Sequence, residues 1–355
     1  MFNILEILRK RRKLWKYYIL VLTILLFLAF MVSVRVGSLP ISYMDIFYVL
    51  SKRLAPIPLV ENSVVSESKE YVIVNLRFPR ALMSILVGSA LALAGCIFQA
   101  VFKNPLADPY IIGVSSGAVL GAALAIVLGL TIVFPYMSGI TSTAFVCALI
   151  TIYVVYRLAL IDGRVPTNML LLAGVMVSIF ISALVSILMV IAGKELHVLI
   201  FWLMGGFSHI RWHYLYTTTP IIISCMAVVF IYSRNLNLLL LSEEEAQQLG
   251  VDVTKTIKIF LVLGSLITAT AVSASGSIGF IGLIIPHMMR ILVGPNHRIL
   301  LPVSMLAGAT LLTMCDVLAR IVYMPMELPV GVITALTGGP FFLYLLRRGK
   351  GTYTF

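Results

Sequence analysis

The stretch IFLVLGSLITATAVSASGSIGFIGLIIPH, Ile259 to His287, carries no charged side chain over 29 residues. An α-helix needs roughly 20 residues to cross about 30 Å of hydrocarbon, so one pass would leave apolar chain to spare. Its centre, SASGSIG at Ser273 to Gly279, is rich in the serine and glycine that interrupt helices. The stretch is therefore read as two spans. Eight more apolar runs surround it: Tyr17 to Val34, Ala81 to Phe102, Ile111 to Tyr136, Ser138 to Tyr156, Asn168 to Gly193, Tyr214 to Ser233, Leu300 to Cys315 and Leu328 to Leu346. The total is ten transmembrane helices. The fold class is an all-α integral membrane protein, with residues 1–355 as a single transmembrane domain.

Composition points the same way. Apolar residues make up 61% of the chain and charged ones 11%, with a mean hydropathy of +1.07; soluble chains carry about 25% charged residues. Five consecutive basic residues from Arg9, and then Lys16, precede the first run. Its 18 residues exceed a signal-peptide core and no small-x-small cleavage site follows, so it is read as a true span. With ten spans and both termini cytoplasmic, 17 of the 26 Lys and Arg residues fall inside, the bias that orients membrane proteins. The net charge of +12 is then an orientation signal, with attraction to anionic lipid as a secondary effect. No aromatic-interleaved basic patch is present, which argues against nucleic-acid binding. Cys96, Cys147, Cys225 and Cys315 stand alone in apolar runs and read as small buried hydrophobes.

Outside the spans the chain is short of material. The segment from Gly37 to Lys69 begins with an amphipathic helix, ISYMDIFYVLSKRL, whose face is read as Ile41, Met44 and Phe47/Tyr48; its tail, APIPLVENSVVSESKE, reads as a loop. His209 and His213 in HIRWH have the spacing of a metal pair, but no Cys or carboxylate completes a site, and Trp212 fits an interfacial belt. No metal and no cofactor is expected. LVGSALALAG (Leu86 to Gly95) resembles VLGSLITATA (Val262 to Ala271), a weak echo of the inverted repeats common in transporters. The chain has no GxxxxGK[ST] phosphate loop. Asp108, Asp162, Asp252, Asp316 and Glu327 all fall near span ends, whereas an ion-coupled carrier places ionisable groups at mid-membrane. A chain of this kind lacks its own energy source; a secondary transporter driven by an ion gradient is the competing reading.

One polar stretch stands out between two apolar runs, LSEEEAQQLG. Ser242 followed by Glu245 makes a capping box, Glu243 and Glu244 favour the positive end of the helix dipole, and Gly250 supplies a stop. The expected product is a short helix, Glu243 to Leu249, with Ala246 and Leu249 on one face. It is either a solvated turn between spans or a docking rod for a separate protein.

Five stretches then resemble one family. NLRFPRALMSILVGSALALAGCIFQAVFKNPLADPYIIGVSSGA (Asn75 to Ala118), MLLLAGV (Met169 to Val175), NLLLLSEEEAQQLGV, GSIGFIGLIIPHMMR (Gly276 to Arg290) and ELPVGVITALTGGPFF (Glu327 to Phe342) are similar to the iron-chelate and vitamin B12 permeases, FecCD type, of ATP-binding cassette importers. The resemblance implies ten spans, a homodimer with the path on its twofold axis, two cytoplasmic ATPase subunits, an external substrate-binding protein and a prokaryotic cell membrane. Such a chain is not an enzyme, since hydrolysis falls to the ATPase. By the same resemblance the run Ser242, Glu243, Glu244, Glu245, Ala246, Gln247, Gln248, Leu249, Gly250 is the ATPase-coupling helix. Arg77, Arg80 and Arg320 match arginines that receive acidic residues of the binding protein; lipid-headgroup anchoring is the alternative. Thr167 and Asn168 match a cytoplasmic gate, with an N-cap as the alternative for Thr167. Gly174, Ser178, Ser182 and Ser186 recur every four residues, which suits a translocation wall or close helix packing. NPLADP and Pro286-His287 are read as architectural, and in GPNHR Asn296 stands where the family often has Asp.

Overall fold

The computed structural model describes residues 4–54, 65–134, 137–163 and 165–348. In chain order its helices are α1 (Ile4–Arg35), α2 (Tyr43–Leu54), α3 (Glu67–Tyr71), a π-helical stretch Val72–Arg77, α4 (Phe78–Val101), α5 (Val114–Val127), α6 (Gly139–Ala159), α7 (Thr167–Ile191), α8 (Leu196–Met204), α9 (Trp212–Ile231), α10 (Ser233–Leu239), α11 (Glu243–Gln248), α12 (Val253–Ser275), α13 (Ile281–Val293), α14 (His297–Ile321) and α15 (Val330–Arg348). A two-stranded antiparallel hairpin, β1 (Ile132–Phe134) and β2 (Met137–Ser138), precedes α6. Within the predicted loop 55–70, residues 55–64 lie outside the described residues and Glu67–Tyr71 is helical.

Among the described residues seven helices are long and apolar enough to cross a membrane, and α5, α13 and the Val330–Tyr344 part of α15 are shorter apolar helices. The opening stretch divides as its glycines require. α12 stops at Ser275 because Gly276 turns left-handed at φ 71°, and α13 starts at Ile281 after Phe280, also at φ 71°. α4 and α5 repeat the pattern: a long buried helix, a non-helical break and a short helix behind a left-handed residue, Gly113 at φ 82°. The two breaks meet. The Tyr110 hydroxyl donates to the Ile278 carbonyl at 2.8 Å and accepts the Ile278 N–H at 3.2 Å, and the Ser115 and Ser277 hydroxyls lie 2.9 Å apart. Polar backbone released by broken helices is thus satisfied inside protein, as an apolar surrounding demands.

α4 is the central post, packed against α12, α13 and α14. Glycines set these distances. A side chain on Gly95 would overlap the Gly282 carbonyl on α13, and Gly88 and Gly308 bring α4 and α14 together in the same way. Ser84 and Thr313 add a hydroxyl pair at 3.0 Å. α1 lies against α14 and leaves Leu20, Phe27 and Leu28 exposed, while α7 exposes Leu172, Met176, Ile179 and Phe180. Neither face has another place to hide from water in a single chain.

The surface helix α2 differs from its predicted face. Ile46 and Val49 are its buried pair, packed with Ile41 on Val34, Ile73 and Ala81, whereas Met44 and Phe47 are exposed. A capping box opens it: Ser42 and Asp45 exchange side-chain to backbone bonds at 2.9 and 3.0 Å, and Lys69 reaches Asp45 at 3.0 Å. Those bonds hold the Asp45 carboxyl below the usual range, the Ser42 amide contributing most.

Candidate functional site

Three regions carry chemistry. At one end of the bundle the π-helical turn before α4 aims Arg77 at the carbonyl end of α1. Its guanidinium donates to Val34 at 3.2 Å and also to Arg35 and Leu39; Gly37 leaves the room, since a side chain there would come within 2.7 Å of it. Arg320, near the end of α14, donates to the carbonyls of Ser33 and Val36 at 2.9 and 2.8 Å. Helix carbonyls that lack a partner in their own helix take these charged donors well. Arg80 grips both Asp316 oxygens, Oδ1 from Nε and Nη2 at 3.0 and 2.8 Å and Oδ2 from Nε at 3.1 Å, and reaches Glu327 at 2.8 Å; Arg320 also meets Asp316 Oδ2 at 3.1 Å. Asp316 is fully buried, and Glu327 is the member whose side chain stays 41% exposed. So the three arginines proposed for docking are themselves buried, with partners in this chain. The Asp316 and Glu327 partnership was missed in sequence because 236 and 247 residues separate them from Arg80.

A second region faces α7. A cavity of about 650 Å³ is bounded by Asp108 and Tyr110 from the first break, Gly279 and Phe280 from the second, and Ser178 and Ser182 from α7. Of the four residues expected along a path, Ser178 and Ser182 border this cavity. Ser186 lies exposed one turn on, and Gly174 is buried where a side chain would overlap the Ile111 backbone. Ser182 and Ser186 spend their protons on carbonyls four residues back, at 2.8 and 2.9 Å, leaving oxygen lone pairs outward. Asp108 accepts the Tyr110 N–H at 2.8 Å. Phe280 is a bulky residue in left-handed backbone, the kind of strain that costs about 1–3 kcal/mol and persists where surroundings enforce it. Thr167 is half-buried and Asn168 exposed at the start of α7; Pro166 is the N-cap and no side chain caps this helix, so the capping alternative for Thr167 is not realised.

The third region lies at the opposite end of α4. Ser242 accepts the Glu245 N–H at 3.2 Å and its own N–H donates to the Glu245 carboxylate at 3.1 Å, the capping box in full. That amide bond, then the hydroxyl, lowers the Glu245 pKa, so the box is intact above the ordinary carboxylate range and is lost as pH falls through the lowered value. Gly250 ends the element at φ 82°. Ala246 is buried and Leu249 is 55% exposed, so the predicted common face splits: the helix closes at Gln248 and Leu249 already belongs to the turn. The Glu243 side chain lies outside the described residues; Glu244, Gln247 and Gln248 are exposed. His209, meanwhile, spends its Nε2 on the Ala274 carbonyl at 3.0 Å.

Known proteins resemble this chain in sequence and fold. The chain matches the FecCD transport family over residues 25–348. It is 45% identical over 283 residues to the cobalamin import system permease protein BtuC of Halobacterium salinarum, covering 80% of this chain and 75% of that one. It is 35% identical over 348 residues to the hemin transport system permease protein HmuU of Yersinia pestis, covering 96% and 98%. A solved inward-facing structure, described as a metal-chelate type ABC transporter, superposes with a TM-score of 0.79 at 35% identity, covering 93% of this chain and 98% of that one. With most of its length matched in sequence and in fold, the chain belongs to the FecCD transport family.

Proposed function

We propose that the chain is the membrane-spanning permease subunit of an ATP-binding cassette importer in a prokaryotic plasma membrane, carrying a bulky metal chelate such as a ferric siderophore, haem or cobalamin. The family match over residues 25–348 carries this reading. The chain crosses ten times with both termini cytoplasmic and works as a homodimer. Its exposed apolar α7 meets the partner copy, with the cargo path between them. Ser178, Ser182 and Ser186 present acceptor oxygens along that path, and Gly174 fixes the wall behind them. A cavity of this kind holds cargo weakly, which suits a chelate handed over by a high-affinity binding protein. Thr167 and Asn168 close the cytoplasmic exit.

Hydrolysis takes place in two ATPase subunits that meet the helix Ser242–Gly250. Its capping box stiffens a rod too short to persist alone, and its acids and exposed Leu249 offer the partner charge and apolar surface. At the outer end the buried cluster of Arg77, Arg80 and Arg320 with Asp316 and Glu327, three cations against two carboxylates, leaves a net positive charge that attracts an acidic side chain of the binding protein. An ion-gradient carrier is not favoured by the family match.

The test is assembly. Replacing Glu243, Glu244 and Glu245 together by Gln keeps the box, which accepts Gln at its third position, and removes the charge. Affinity for the ATPase is expected to fall roughly tenfold at low salt. An unchanged ATPase complement at limiting subunit concentration would remove the coupling role.

A further inference from the structure

Asn237 lies on α10, in the segment that leads into the capped helix. Its Oδ1 accepts the backbone N–H of His297 at 2.8 Å and lies 2.9 Å from His297 Nδ1. Its Nδ2 donates to Asn296 Oδ1 at 3.2 Å, and that oxygen also accepts the Arg298 N–H at 3.0 Å, capping α14. Two backbone amides settle every direction in this chain, because they can only donate. The His297 amide makes Asn237 Oδ1 an acceptor, so His297 Nδ1 bears the proton and Asn237 Nδ2 is left to donate. The Arg298 amide makes Asn296 Oδ1 its receiver. His297 is 1% exposed and both asparagines are half-buried, so water is a poor substitute. A second tie runs from Lys103, just past α4, to the Leu241 carbonyl at 2.7 Å.

α14 has 25 residues, so it spans about 37 Å. Along that length it is fastened to α4 by Arg80 and Asp316 at one end, the Ser84 and Thr313 hydroxyls below them, and the Gly88 and Gly308 contact in the middle. The two helices make one strut. One end carries the arginine and carboxylate cluster, and the other is clasped to the segment bearing the capped helix.

We propose that Asn237 is a positioning residue of the transport cycle: its bonds to His297 and Asn296 hold the Ser242–Gly250 helix to α14, so that a tilt of the strut at the docking end moves that helix against the ATPase. The inference rests on the coupling role given above. It also gives GPNHR a purpose, since any residue with an oxygen acceptor at 296 serves the joint.

The experiment uses the complete transporter, permease dimer with ATPase and its cognate binding protein in lipid vesicles, and reads the ratio of hydrolysis with and without substrate-loaded binding protein. In Asn237→Leu, close in size but without polar atoms, the ATPase stays bound and the ratio is expected to fall about tenfold. Asn296→Asp keeps the acceptor and keeps the ratio. A wild-type ratio in Asn237→Leu, or its loss in Asn296→Asp, overturns the proposal. Should Asn237→Leu not assemble, Asn237→Asp replaces it. That variant retains the bonds from His297 but turns a second oxygen toward Asn296 Oδ1; an undiminished ratio there overturns the proposal equally. Failure of the coupling role shows differently, as ATPase binding that survives removal of the acids.

Discussion

Replacing Asp316 by Ala is expected to cost about 3–5 kcal/mol of folding stability, read as a lowered melting temperature and folded yield of the purified chain. Asp316 is fully buried and pairs with Arg80 and Arg320 at once. Removing it leaves two buried guanidiniums short of charge, Arg80 keeping only half-exposed Glu327 and Arg320 only carbonyls and a hydroxyl. A melting temperature within a degree or two of wild type would mean that the cluster is solvated and dispensable. The same network decides how docking is best probed. Arg80→Glu would set a third carboxylate against Asp316 and Glu327, so lost docking in that variant would report a damaged bundle rather than a missing contact.

Gly95→Ala is expected to be about as damaging, on the order of 3 kcal/mol, through a different cause. The new methyl would overlap the Gly282 carbonyl, which is backbone and has no rotamer to yield. α4 and α13 must part, and the meeting of the two breaks, with Pro109 resting on Gly282, is lost with them. Gly279→Ala is the control: nothing lies within 4 Å of the added carbon and its backbone is not left-handed, so stability should not change. Equal melting temperatures for the two variants would contradict the close packing of these helices.

Much of the fold could be read in one dimension because its signals are local. The break at Ser273 to Gly279 is written in residues that stop helices, and the box at Ser242 and Glu245 needs only a spacing of three. Where the reading fell short, geometry at a distance was decisive. Met44 and Phe47 suit an apolar face as well as Ile46 and Val49 do, and only the presence of Val34, Ile73 and Ala81 beneath α2 selects between them. Asp108 looks like a span-end residue until the chain folds back and places it on a cavity beside Ser178. Arg77, Arg80 and Arg320 look like surface charges until the carbonyl end of α1 and Asp316 are brought to them. Gly174 shares its period with the serines yet packs under Ile111, a distinction carried by the neighbouring loop and absent from the spacing.

The measurement closest to the centre of this account is cobalamin or haem uptake by vesicles holding the purified permease, with its ATPase added or withheld and its binding protein outside. Accumulation that needs both the ATPase and internal ATP, and that persists after an ionophore dissipates ion gradients, is the predicted result. Accumulation by the permease alone, or its collapse on adding the ionophore while ATP remains, would contradict it.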